Sequence, residues 1–137
     1  MKQRVPVSQI MSKSLIVIPA NKKVSEAYNL FEEYGIRHIP VVSGTKLVGV
    51  ISKNDLAKVG FISQEMSKEV VLSLYDTHEV KDIMTANPVS VTAEAYIKDV
   101  AELLANHTFH SVPVLDKDEL VGIITTKDLI NYLVEQY

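Results

Sequence analysis

Apolar positions along the chain change their period in a fixed order, and the order occurs twice. Ile16-Val17-Ile18 is a short β-branched run that reads as a strand. Val24, Ala27, Tyr28 and Phe31 follow at i, i+3, i+4 and i+7, the spacing of an amphipathic helix, and Gly35 is placed to stop it. His38–Val42 and Lys46–Ser52 then read as strands around a turn at Ser43-Gly44-Thr45, short enough for an antiparallel hairpin. A helix opens near Ser52. The second passage runs through Val89-Ser90-Val91, then Ile97, Val100, Ala101 and Leu104 at the same helical spacing. A hairpin turns at Asp116-Lys117-Asp118, and a last helix covers Lys127 to Glu135.

A single shift of 73 residues superposes the passages without a gap. Ile10-Met11-Ser12 falls on Ile83-Met84-Thr85, Pro40-Val41 on Pro113-Val114, and Leu47–Leu56 on Leu120–Leu129. The predicted unit is β-α-β-β-α. One such unit has too little apolar surface of its own to bury, so two are expected to pack about a pseudo-two-fold axis. The fold class is therefore α/β (α+β). The expected division is 5-60 for the first repeat, 61-79 for an inserted helical linker and 80-137 for the second repeat. Within the linker, Met66, Val70, Val71, Leu74 and Tyr75 predict a helix over Ser67–Tyr75 with its apolar face in the core, and Gly60 caps the unit before it.

Composition narrows the class. The 137 residues are 47% apolar and 23% charged, a globular balance. With no Cys, disulfides and thiolate metal sites are excluded and a reducing compartment is expected. A net charge of −3 argues against a general nucleic-acid grip. Met1-Lys2-Gln3-Arg4 is basic, but Pro6, Ser8, Gln9, Ser12, Lys13 and Ser14 interrupt any apolar run of a signal peptide. No stretch approaches the ~20 apolar residues of a membrane helix. A soluble, cytoplasmic protein is expected.

The candidate chemistry lies at two corners, Ser52-x-x-Asp55 and Thr125-x-x-Asp128, each following a strand glycine, Gly49 or Gly122. Taken alone, either corner is a capping box that closes a helix end. Gly49 and Gly122 allow close packing, and Met11 and Met84 fill core or pocket space. His107 and His110 are spaced three apart, but no Cys or acidic cluster completes a metal site, and none is expected. No Gly-x-Ser-x-Gly elbow occurs, and Ser52 pairs with an acid rather than a base, so no catalytic residues are assigned and the chain is not read as an enzyme.

Taken as an ordered set, the Ile-Met-Ser/Thr openings, the apolar-Pro-Val strands and the Gly-x-x-Ser/Thr-x-x-Asp corners resemble the CBS domain pair, over about residues 5–135. The resemblance implies a regulatory module that senses AMP, ADP, ATP or S-adenosylmethionine in the cleft between two repeats. It implies that Asp55 and Asp128 hold ribose hydroxyls and that Ser52 and Thr125 contact phosphate or ribose. It places Arg37, His38, His110 and Ser111 near phosphates, and Ile16, Ile18 and Val89 beside adenine. Physical chemistry agrees. A carboxylate presents two acceptors to a cis-diol, at roughly 1.5–3 kcal/mol per bond to the charged group. A helix start favours an anion, and Lys53 and Lys127 flank the corners. The nucleotide is a regulatory ligand rather than a required cofactor, with magnesium only alongside ATP. A homodimer through helices at Asp55–Val59 and Asp128–Glu135, and an effector protein acting in trans, are the implied partners, with no nucleic acid and no membrane. The competing expectation is a ligand-free dimerisation scaffold. Ser111 opposite His38, Thr108 opposite Gly35, and Asn87-Pro88 opposite Ser14-Leu15 make the two pockets unequal.

Overall fold

The computed structural model describes residues 4–137. Met1, Lys2 and Gln3, most of the basic opening stretch, lie outside the described residues. The chain divides into two compact units, one made of Ile16–Pro88 and the other joining the residues up to Leu15 with Val89–Tyr137.

In the Ile16–Pro88 unit, β1 (Ile18–Pro19) runs parallel to β2 (His38–Ser43), which pairs antiparallel with β3 (Lys46–Ser52). Between β1 and β2 lies α1 (Val24–Tyr34), with Val24, Ala27 and Phe31 buried as their spacing predicts. Gly35 ends α1 at φ 62°, a left-handed conformation in which a Cβ would be strained. The β2–β3 turn also uses a left-handed glycine, Gly44 at φ 64°. After β3 the chain makes a 3-10 turn at Lys53–Lys58, and then forms α2 (Lys68–Tyr75), α3 (Val80–Ile83) and β4 (Thr85–Ala86), antiparallel to β3. Val71 and Tyr75 join the core of Ile18, Phe31, Ile39, Val41, Ile51 and Val80, while Val70, expected on the same apolar face, is 46% exposed. Ser67 caps α2 by accepting from the Val70 N–H at 3.2 Å. The Ser25 hydroxyl on α1 donates to Asp76, just past α2.

The other unit repeats the plan. β5 (Val91–Thr92) is parallel to β6 (Ser111–Asp116), which pairs antiparallel with β7 (Glu119–Thr125). α4 (Ile97–Ala105) lies between β5 and β6, and α5 (Thr126–Glu135) follows β7. Lys117 at φ 51° and Asp118 at φ 66° form a hairpin turn with two left-handed residues. Val7, Val100, Leu104, Val112, Val114 and Ile124 make the core.

Two expectations need correcting, and one helix differs between the copies. The opening strands are shorter and begin later: hydrogen-bonded pairing starts at Ile18 and Val91, not Ile16 and Val89. A β-branched run supplies propensity but not a neighbour to pair with. The element after Ser52 is a six-residue 3-10 turn rather than an α-helix, because the chain turns away at Gly60, φ 152°, before further α-helical turns can repay nucleation. α4 is shorter than α1, because Thr108 stands where α1 has Gly35; Asn106 Nδ2 instead donates to Glu102 O at 2.9 Å, and His107 Nδ1 lies 2.7 Å from Leu103 O.

The compact units also cross the sequence repeats. The segment around Val7 belongs with Val89–Tyr137, where Val7 N donates to Ala95 O at 2.7 Å and Ser12 exchanges two backbone bonds with Ile123, at 2.8 and 3.0 Å. Correspondingly, Val80 N donates to Lys22 O at 2.8 Å and Val24 N to His78 O at 3.0 Å. Each copy's Ile-Met-Ser/Thr opening thus completes the unit built by the other copy's hairpin. The reason shows at the strand glycines. A Cβ on Gly49 would lie 2.5 Å from Met84 Sδ and 2.8 Å from Thr85 O, and one on Gly122 would lie 2.5 Å from Met11 Sδ and 3.0 Å from Ser12 O.

Candidate functional site

Each predicted corner forms at the junction where a hairpin strand ends. At the first, Asp55 N donates to Ser52 Oγ at 3.2 Å and Ser52 N donates to Asp55 Oδ2 at 2.8 Å. At the second, Asp128 N donates to Thr125 Oγ1 at 3.1 Å and Thr125 N to Asp128 Oδ2 at 2.9 Å. Both are complete capping boxes. The reciprocal bonds fix each carboxylate beside the strand end, with one oxygen turned to the backbone.

The residues before the middle prolines come to the same places. His38 faces Ser52 across the β2–β3 ladder, and Ser111 faces Thr125 across β6–β7. Lys53 N donates to Arg37 O at 2.8 Å, and Thr126 N donates to His110 O at 2.9 Å. Arg37, His38 and His110 are exposed, and Ser111 is half-buried. Lys127 is exposed on the first turn of α5.

Other candidates fall elsewhere. Lys53 lines a cavity of about 640 Å³ with Tyr28, Leu56, Ala57, Phe61 and Tyr75, a set that includes neither Ser52 nor Asp55. Ile18, 2% exposed, is a core side chain and leaves a ligand almost no surface. Ile16 is half-buried and Val89 is 50% exposed, so both have surface to offer. His107, bound near the end of α4, stacks on Phe109 with ring centroids 4.9 Å apart. Among the described residues no group of three or more His, Cys, Asp or Glu could hold a metal ion.

Lys58 was not among the expected site residues. Its Nζ lies 2.9 Å from Asp55 Oδ1 and donates to Ile83 O at 2.9 Å. The signal was present in the Asp-x-x-Lys spacing, which brings i and i+3 side chains together on a helical turn. At the equivalent place after Asp128 stands Asn131.

Paired β-α-β-β units with a Ser/Thr-x-x-Asp corner after each hairpin define a tandem-repeat module with two related candidate sites. The CBS domain family profile matches residues 7–61 and 80–135, and the chain belongs to that family. A CBS domain-containing protein of Dictyostelium discoideum is 31% identical over 137 residues, covering 96% of this chain and 93% of its own length. CBSX2 of Arabidopsis thaliana, a CBS-pair protein, superposes with a TM-score of 0.82 at 27% identity, covering 96% of this chain and 95% of its own. CBSX2 in complex with AMP gives 0.80 at 27%, over 96% and 97% of the two chains. The CBS domain pair of protein MJ0100, in complex with 5′-methylthioadenosine and S-adenosyl-L-methionine, gives 0.72 at 26%, over 97% and 98%. Some relatives are enzymes matched over a fraction of their length: the chain spans 22% of an inosine-5′-monophosphate dehydrogenase of Korarchaeum cryptofilum, at 30% identity over 85% of this chain. It also spans 45% and 24% of two further curated relatives, so it corresponds to less than half of each of these three proteins. Among the described residues no helix is long and apolar enough to cross a membrane.

Proposed function

We propose that this chain is a regulatory module that binds an adenosine-containing ligand through its Ser/Thr-x-x-Asp corners and performs no chemistry on it. The observation that carries the reading is the geometry common to both corners: a carboxylate held in place by the strand-end N–H, beside the residues that precede the middle proline. The AMP complex of CBSX2 and the adenosyl complex of MJ0100, both above 25% identity over nearly the whole chain, support adenosine as the shared part of the ligand. The carboxylate accepts from the ribose cis-diol. The Ser52 or Thr125 hydroxyl and the exposed Arg37, His110 and Lys127 side chains meet the phosphate or the sulfonium-bearing tail. Ligand binding biases a partner, and a coupling of ~1–3 kcal/mol is the usual scale for such control. A homodimer is part of this reading, supported by the exposed Ile130, Leu133 and Val134 on α5, and light scattering on the pure chain checks it.

Calorimetric titration with AMP, 2′-deoxy-AMP and S-adenosylmethionine tests the assignment. AMP or S-adenosylmethionine binds, and removing the 2′-hydroxyl weakens AMP by roughly tenfold or more, the scale of one charge-assisted hydrogen bond. The double variant Asp55→Asn/Asp128→Asn loses the ligand while keeping its circular dichroism. Equal affinity for AMP and its deoxy analogue would remove the ribose role. No binding by any adenosine compound would leave the scaffold as the function.

A further inference from the structure

The two corners share a backbone plan but not the state of their carboxylates. Asp55 is 9% exposed and both its oxygens are engaged: Oδ2 accepts from Ser52 N at 2.8 Å, and Oδ1 is paired with Lys58 Nζ at 2.9 Å. The same ammonium donates to Ile83 O at 2.9 Å, so Lys58 straps the 3-10 turn to the end of α3. Asp128 is half-buried, its Oδ2 accepts from Thr125 N at 2.9 Å, and among the described residues no cation pairs with it. Asn131, exposed and neutral, occupies the place of Lys58.

Resting on the adenosine reading above, we infer that Lys58 closes the Ser52–Asp55 corner to ribose and that the Thr125–Asp128 corner is the one that takes the ligand. A cis-diol is held best by both oxygens of a carboxylate, each of which can accept a second bond beside the one from the backbone. At Asp55 it competes for Oδ1 with an ammonium whose side chain is 54% exposed, and neutral hydroxyls do not match the attraction of that cation for the carboxylate. The displaced Lys58 also leaves the Ile83 carbonyl. At Asp128 the second oxygen has no competing cation, and the ribose bonds are added to the capping box rather than exchanged for an ion pair. Lys58 is thus a specificity-determining residue that does not touch the ligand. Asp55 becomes a structural joint, holding the strand end, the 3-10 turn and α3 together.

Binding stoichiometry reads this directly. Titrated with AMP, the wild-type chain takes one equivalent. Lys58→Asn, which copies the second corner into the first, takes two, the new site within roughly tenfold of the old. Lys58→Arg keeps the cation and stays at one equivalent, an outcome that a merely structural role for Lys58 would not separate from Lys58→Asn. The reciprocal variant Asn131→Lys changes an exposed helix position and leaves the fold intact; with a cation three residues after Asp128 it weakens AMP by roughly tenfold or more. It therefore decides the matter even if Lys58→Asn fails to fold. Two equivalents bound by the wild type, or Asn131→Lys binding as the wild type does, would overturn the inference and leave the adenosine reading standing. No binding to the wild type or to Lys58→Asn would remove both.

Discussion

Gly49 and Gly122 show how little room a single position can leave. Each strand glycine receives a methionine sulfur and a backbone carbonyl where its Cβ would stand, at 2.5 to 3.0 Å. The methionine can swing aside, but Thr85 O and Ser12 O are main-chain atoms tied into local pairing. Gly49→Ala and Gly122→Ala should each cost about 1–3 kcal/mol of stability, read from denaturant midpoints, with Gly49 the worse because its carbonyl neighbour is closer. Tyr75 offers a pH test. Burial pushes its phenol above the ordinary range, and Tyr28 and Glu32 add in the same direction. The native state therefore holds the proton more tightly than the unfolded chain. This contribution is intact below about pH 10 and is lost as pH rises through the folded value. Unfolding free energy should fall on the alkaline side, and Tyr75→Phe should flatten that fall; tyrosinate absorbance identifies the group.

Elements whose apolar period is long were legible in the sequence, and those fixed by partners were not. The spacing of Val24, Ala27 and Phe31 gave α1, and that of Ile97, Val100 and Leu104 gave α4, because a buried helical face must repeat. Both hairpins followed from short polar turns between apolar runs. β1 and β5 came out displaced because pairing depends on where β2 and β6 present free edges. The 3-10 turn after Ser52 and the α-helix after Thr125 begin with the same capping box, so the local sequence at the start did not separate them. What separates them is how soon the chain must leave. At the corners, backbone bonds of the boxes were readable from Ser/Thr-x-x-Asp alone. The Lys58 ion pair was readable only as a spacing, and its anchor at Ile83 O, far along the chain, was not. α2 illustrates the opposite case, an eight-residue helix whose start is fixed by one hydroxyl. Ser67→Ala should cost about 1 kcal/mol and open α2 first, seen as faster amide exchange at its N-terminal residues.

For the molecule as a whole, the consequential feature is that compact units and sequence repeats do not coincide. Cutting the chain after Leu15 removes Val7, which is fully buried, and the paired bonds between Ser12 and Ile123. The loss should fall on the unit of Val89–Tyr137, by several kcal/mol at about 1.5–3 kcal/mol per buried aliphatic side chain. Ile16–Pro88 should keep its amide protection, a distribution that exchange measured by mass spectrometry resolves. The same feature gives the protein an order of assembly on the ribosome. Ile16–Pro88 is continuous and has all its parts once Pro88 has emerged. The segment around Val7 has no docking site until β7 and α4 exist, so it stays uncovered while Ile16–Pro88 can already be complete. Val7 and Met11 are therefore expected to be covered only when residues roughly eighty or more positions later in the sequence have folded, the longest loop closure this unit requires.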